Sequence, residues 1–195
     1  MDSTRNVDSR FIGFAALSGA AGGAALAMWM MIYSAATNNG FWTPLNVCMA
    51  SFIYRADGEM MMKEMMQHPG MSMAMPVQPS HLVVGFLVHM GFSTVVGGSF
   101  ALVLLFAIRV LRLPLLTTRY GYAAAAVIGA LILYALMEYV ILPPPIAANP
   151  IIPDMTPRVA FAIGHVLYGL TFGLVAFALL RPSSAAPSLR REPAM

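Results

Sequence analysis

The sequence is short of charge and almost without cysteine. Of its 195 residues only 10% are Asp, Glu, Lys or Arg, while 59% are hydrophobic, and the mean hydropathy is +0.74. Soluble domains carry about a quarter charged residues, so so little charge excludes an ordinary water-facing surface. The net charge of +3 forms no basic stripe away from the apolar segments, which excludes a nucleic-acid footprint. A single cysteine, Cys48, excludes an intrachain disulfide. Glycine-rich phosphate loops, HExxH, CxxC and nucleophile-elbow motifs are also missing. What remains points away from an enzyme.

Long apolar runs are what the chain does have. A helix crossing a bilayer needs roughly 20 mostly apolar residues. Segments 11–36, 81–108, 120–142 and 159–180 meet that requirement, and the only Asp, Glu, Lys or Arg among them is Glu138. Abundant Gly and Ala argue against barrel strands, which alternate apolar and polar residues. The expected fold is all-α: a membrane four-helix bundle in one domain over 11–182, between a tail at 1–10 and a Pro-, Ser- and Ala-rich tail at 183–195. That last tail has the composition of a disordered segment. The 26-residue length of the first run favours a retained anchor over a cleaved signal peptide, for which Ala35-Ala36 is the nearest cleavage candidate.

Positive charge orients the chain. Arg5, Arg10, Arg109, Arg112, Arg119, Arg181, Arg190 and Arg191 flank one side of the four spans, against Arg55, Lys63 and Arg158 on the other. The positive-inside rule then puts both termini in the cytoplasm of a multi-pass protein of the cell (inner) membrane. After Asn38-Asn39-Gly40, the Thr43-Pro44 pair opens a helix whose apolar stretch, Leu45 to Tyr54, is too short to span. It reads as a short interfacial helix in the first outer loop. The rest of that loop, 56–80, is Met-rich: half of residues 60–75 are Met. The second outer loop is stiffened by five prolines from Pro143 to Pro153 and a sixth at Pro157. Gly19 and Gly23 form a small-xxx-small pair that admits a close neighbour.

An internal duplication is also readable. Gly13-Phe14-Ala15-Ala16 recurs as Gly121-Tyr122-Ala123-Ala124, 108 residues on, and the pair His89 and Gly97 recurs as His165 and Gly173, 76 residues on. Two duplicated helical hairpins would be related by an axis along the membrane normal, although Gly and Ala are common enough in spans to match by chance.

Ionisable groups inside a membrane are costly and mark function by default. His89, Glu138 and His165 lie roughly 12, 7 and 10 Å below the outer ends of their spans, all in the same half. One reading is copper: thioethers select Cu(I) and imidazole suits copper generally. His68, Met71, Met73 and Met75 would collect the ion, and His81, His89 and His165 would hold it. A second reading makes His89 and His165 the axial ligands of one haem b. A third makes Glu138, with a histidine, a proton or ion relay in a small transporter. Against all three stands a plain structural role: histidines hydrogen-bond across helices, Met fills apolar gaps, and Cys48 reads as a small buried hydrophobe. Any shared site requires the second, third and fourth spans to converge, with Gly91, Gly164 and Gly169 allowing the approach.

The glycine-rich first helix (Gly19 to Met31), Phe41-Trp42-x-Pro44-x-Asn46, Val88-His89-Met90, the stretch Met137 to Pro143 and the stretch Gly164 to Gly173 together resemble a family of small uncharacterised prokaryotic four-helix integral membrane proteins, a domain of unknown function. The resemblance implies a helical membrane fold and no particular activity. The function expected is a non-enzymatic membrane protein with a metal or redox centre on its outer face. It would be an accessory subunit of a larger respiratory or photosynthetic assembly, with lipid and other membrane subunits as partners.

Overall fold

The computed structural model describes residues 9–53, 60, 63, 67, 79–110, 116, 118–141 and 156–180. All regular structure among the described residues is helical, with no strand. Four helices are long and apolar enough to cross a membrane, which is the architecture a multi-pass membrane protein requires. In chain order they are α1 (Ser9–Ala36), the short α2 (Thr43–Phe52), α3 (Pro79–Val110), α4 (Arg119–Leu136) and α5 (Arg158–Leu180).

Local chemistry explains the boundaries. Asn38 and Gly40, at φ 60° and 83°, make the left-handed turn that ends α1. Within that turn Ser34 donates to the Gly40 carbonyl at 2.7 Å. Thr43 opens α2 as expected, but its hydroxyl donates back to the Asn39 carbonyl and so ties the helix to the turn. Thr118, in extended conformation, caps α4 by accepting from the Gly121 N–H at 3.1 Å. The third span does not finish as an α-helix: Met137–Ile141 is a π-helix. Such segments are rare and concentrate at functional sites. The Met-rich loop, the second outer loop beyond 141 and both tails lie outside the described residues, apart from isolated positions.

The spans pack in the succession α3, α1, α5, α4: α1 and α5 pack on each other, α3 flanks α1 and α4 flanks α5. The apolar stretches of α1 and α5 are 39% and 44% buried, against 22% and 17% for α3 and α4, so the first and last spans form the centre. α3 and α4 meet only at an edge, where the Phe100 ring lies against Gly129. The second and third spans thus do not pack along their lengths, although side chains of the second, third and fourth spans all reach one cavity at an end of the bundle.

Small residues make the crossings. A Cβ on Gly97 would sit 2.2 Å from the Gly19 Cα, and one on Gly23 would sit 2.5 Å from the Ser93 side chain. On the other side, a Cβ on Gly169 would sit 2.6 Å from the Val127 Cα, and one on Gly173 would sit 2.7 Å from the Ala123 Cα. Helices this close gain the dispersion contacts that hold spans together in lipid. Of the glycines expected to admit close approach, Gly91 instead faces open space. The core is correspondingly fine-grained, with Ala101, Phe172 and Ala176 inaccessible among Ala15, Ala126 and Ala130. Large apolar side chains such as Val95, Val103, Phe106, Ile128 and Ile132 point outward from α3 and α4, as lipid-facing surfaces do.

Candidate functional site

The site lies near the end of the bundle at which α1 and α4 finish and α3 and α5 begin, called here the distal end. Two hydrogen bonds register the helices there. Trp29 on α1 donates from its indole to the Ala160 carbonyl of α5 at 2.8 Å. Tyr168 on α5 donates from its buried hydroxyl to the Ser93 carbonyl of α3 at 3.1 Å. Gly22, whose added Cβ would lie 2.9 Å from the Tyr168 carbonyl, lets α5 come near enough to α1 for this reach.

His89 and His165 both line one cavity of about 200 Å³. Their tautomers follow from their partners. The Nε2 of His89 lies 2.9 Å from the Gly23 carbonyl, and a carbonyl only accepts. Nε2 therefore carries the proton and donates, and in the neutral ring Nδ1 keeps its lone pair. His165 uses the opposite nitrogen: its Nδ1 donates to the Phe161 carbonyl, one turn back on α5, at 2.9 Å. Its Nε2 keeps the lone pair. Phe161 stacks edge-on against the His165 ring at 4.5 Å, and Tyr134 lies 5.4 Å away, so aromatic rings hold this imidazole on two sides. Both neutral histidines thus retain one basic nitrogen, able to bind a Lewis acid or a hydrogen-bond donor.

The remaining walls are mainly apolar, from Leu26, Val88, Phe92, Val96 and Leu133. Three sulfur side chains join them: Met30 from α1, Cys48 from α2 and Met137 from the π-helix. Burial pushes the Cys48 thiol up to about 12, which keeps it neutral and makes it a weak ligand. Ser34, Asn39, Thr43 and Thr156 supply a polar rim.

Glu138 does not belong to these walls. Its side chain is 2% exposed, and Oε1 accepts from Nε of Arg158 at 3.3 Å, an ion pair that joins the π-helix to the first residue of α5. The inward turn of the π segment and the Arg158 partner account for its burial so near a helix end. His81 sits partly exposed in the first turn of α3, apart from the cavity. His68, Met71, Met73 and Met75 lie outside the described residues.

Among the described residues, no three His, Cys, Asp or Glu side chains gather as a metal cage. A haem does not fit: about 200 Å³ falls below even the ~300–1,000 Å³ of pockets for drug-sized molecules, and a hydrogen bond to α1 holds the His89 ring. The sequence reading found both histidines and Glu138 but missed Arg158 and Met30. Arg158 was legible as the residue opening the last span, opposite the end of the third. Met30, six residues before the end of α1, lies about 9 Å deep, level with His165. Comparison with known protein families, with curated proteins and with solved structures finds no match.

Proposed function

We propose that this chain is a non-enzymatic integral membrane protein that binds a copper ion in the distal cavity. The observation that carries this reading is the meeting of His89 and His165, from α3 and α5, in one cavity, each with a free basic nitrogen and sulfur side chains in the same walls. The uneven arginine distribution supports both termini in the cytoplasm, which makes the distal end the outer one. The outward apolar faces of α3 and α4 suit contact with lipid and with further membrane subunits, in keeping with an accessory role. A duplicated helical hairpin remains the sequence's suggestion, resting on the Gly13 and Gly121 motifs and on the His89/Gly97 and His165/Gly173 spacings; the closest approaches are one turn out of that correspondence, Val127 meeting Gly169 where Gly19 meets Gly97. The sequence motifs favour membership of a family of small prokaryotic four-helix membrane proteins.

The competing reading, a proton or ion relay through Glu138, is less favoured because that carboxylate is engaged by Arg158 and stands outside the cavity. Copper binding is tested by equilibrating the purified, reduced protein with Cu(I), removing free ion and measuring metal content. The wild type retains copper and His89→Ala/His165→Ala does not; retention by the double variant equal to wild type refutes the reading. Reporters fused in the 56–80 segment should map outside the cell, and a cytoplasmic signal refutes the topology.

A further inference from the structure

Each of the four spans contributes one soft or imidazole side chain to the distal cavity: Met30 from α1, His89 from α3, Met137 at the end of α4 and His165 from α5. Counted from the distal helix ends, they lie about 6 to 15 Å deep. The Met30 sulfur would be 3.8 Å from a Cβ on Gly164, the residue before His165. Met137 is the first residue of the π-helix, where the wider turn re-aims the side chains at the end of α4. We infer that Met30 and Met137 complete a four-span site with His89 and His165, a neutral two-nitrogen, two-sulfur set that takes one monovalent soft cation, Cu(I) or Ag(I), and rejects divalent ions.

Three features support the charge selectivity. First, among the described residues no carboxylate lines the cavity, since Glu138 is held by Arg158 outside it. Second, the tautomers leave each imidazole as a neutral donor of one lone pair. Third, the walls are mainly apolar and their polar rim is uncharged, so the ligands supply most of the stabilisation of a charge there. The desolvation penalty of an ion grows as the square of its charge, about fourfold from +1 to +2, and two imidazoles with two thioethers, soft and neutral, offset it less well for Zn(II) or Cu(II) than for a monovalent ion. Thioethers sharpen the preference, being ligands of Cu(I) rather than of hard ions. A cavity of about 200 Å³ has room for one such ion.

The inference rests on the copper-binding reading, and one experiment separates the two. Purified, reduced full-length protein is titrated with Cu(I) and separately with Zn(II), each against a chromophoric chelator, and the copper-loaded protein is examined by X-ray absorption. The expected result is one Cu(I) per chain, with nitrogen and sulfur scatterers and no Zn(II) retained. Met30→Leu and Met137→Leu, which conserve volume, each weaken Cu(I) at least tenfold, and the double variant loses the sulfur signal. Nitrogen-only scattering in the wild type, or full affinity in the double variant, overturns the four-span assignment while copper binding itself survives. Zn(II) held as tightly as Cu(I) overturns the charge selectivity. A wild type that binds no copper removes the underlying reading and this inference with it.

Discussion

Gly97→Ala tests whether the α1–α3 crossing holds the bundle together. The added Cβ would lie 2.2 Å from the Gly19 Cα and 2.9 Å from its nitrogen, both backbone atoms that no rotamer change can move. Ordinary contact begins at 3.4 Å, so the helices must part by about 1.2 Å at their crossing, an overpacking that costs about 1–3 kcal/mol. Alanine also favours the helix over glycine by up to ~1 kcal/mol, which would mask part of that loss. Gly98→Ala supplies the correction: its Cβ meets nothing within 4 Å, so it reports the propensity gain alone. The difference between the two variants isolates the crossing and should be about 1–3 kcal/mol. The assay is unfolding in mixed micelles by a denaturing detergent, followed by far-ultraviolet circular dichroism. Equal stability of the two variants would refute the close crossing.

Two further outcomes follow from the distal end. Tyr168→Phe removes the buried hydroxyl that donates to the Ser93 carbonyl and should lower stability by about 1 kcal/mol; an unchanged unfolding midpoint would mean that the bond does not tie α5 to α3. For Cys48, whose thiol burial raises from 9.0 to about 12, the thiolate fraction at pH 8 is at least about a hundredfold below that of a free thiol. Maleimide labelling should therefore be slow in the folded protein and fast after denaturation. Its rate should keep climbing with pH past 9, because the depleted species is the charged one; a plateau near pH 9 would show an unburied thiol.

The spans were legible because uniform apolar runs with one internal acid leave a chain few options. The observed helix ends fall within a few residues of the expected ones. Rotation and neighbours were not legible. Gly19 and Gly23 announced a close approach, yet nothing in their spacing named Gly97 and Ser93 as what they meet. Gly91, equally small and next but one to His89, faces open space, because its place on the helix circumference points away from α1. The π turn left no local signal in Met137–Ile141, since an inserted residue looks like any other until its hydrogen bonds are seen. For the same reason Glu138 read as a relay acid partnered by a histidine, when it closes an ion pair with Arg158. The two histidines were found by their cost in lipid; the choice of ring nitrogen depended on which carbonyl happened to face each.

The length of α3 has a consequence for the membrane itself. Its 32 residues make a rod about 48 Å long, against roughly 30 Å of hydrocarbon. Tilt alone would have to reach about 50°, beyond the ~40° limit seen for spanning helices. Part of α3 therefore stands clear of the acyl chains, with Ser80 and His81 in its first turn. The short α2 packs along α3 and gives the overhang an apolar support where lipid runs out. Hydrophobic mismatch costs a fraction of a kcal/mol per ångström, so a thicker bilayer would accommodate this helix with less tilt and less overhang than a thin one.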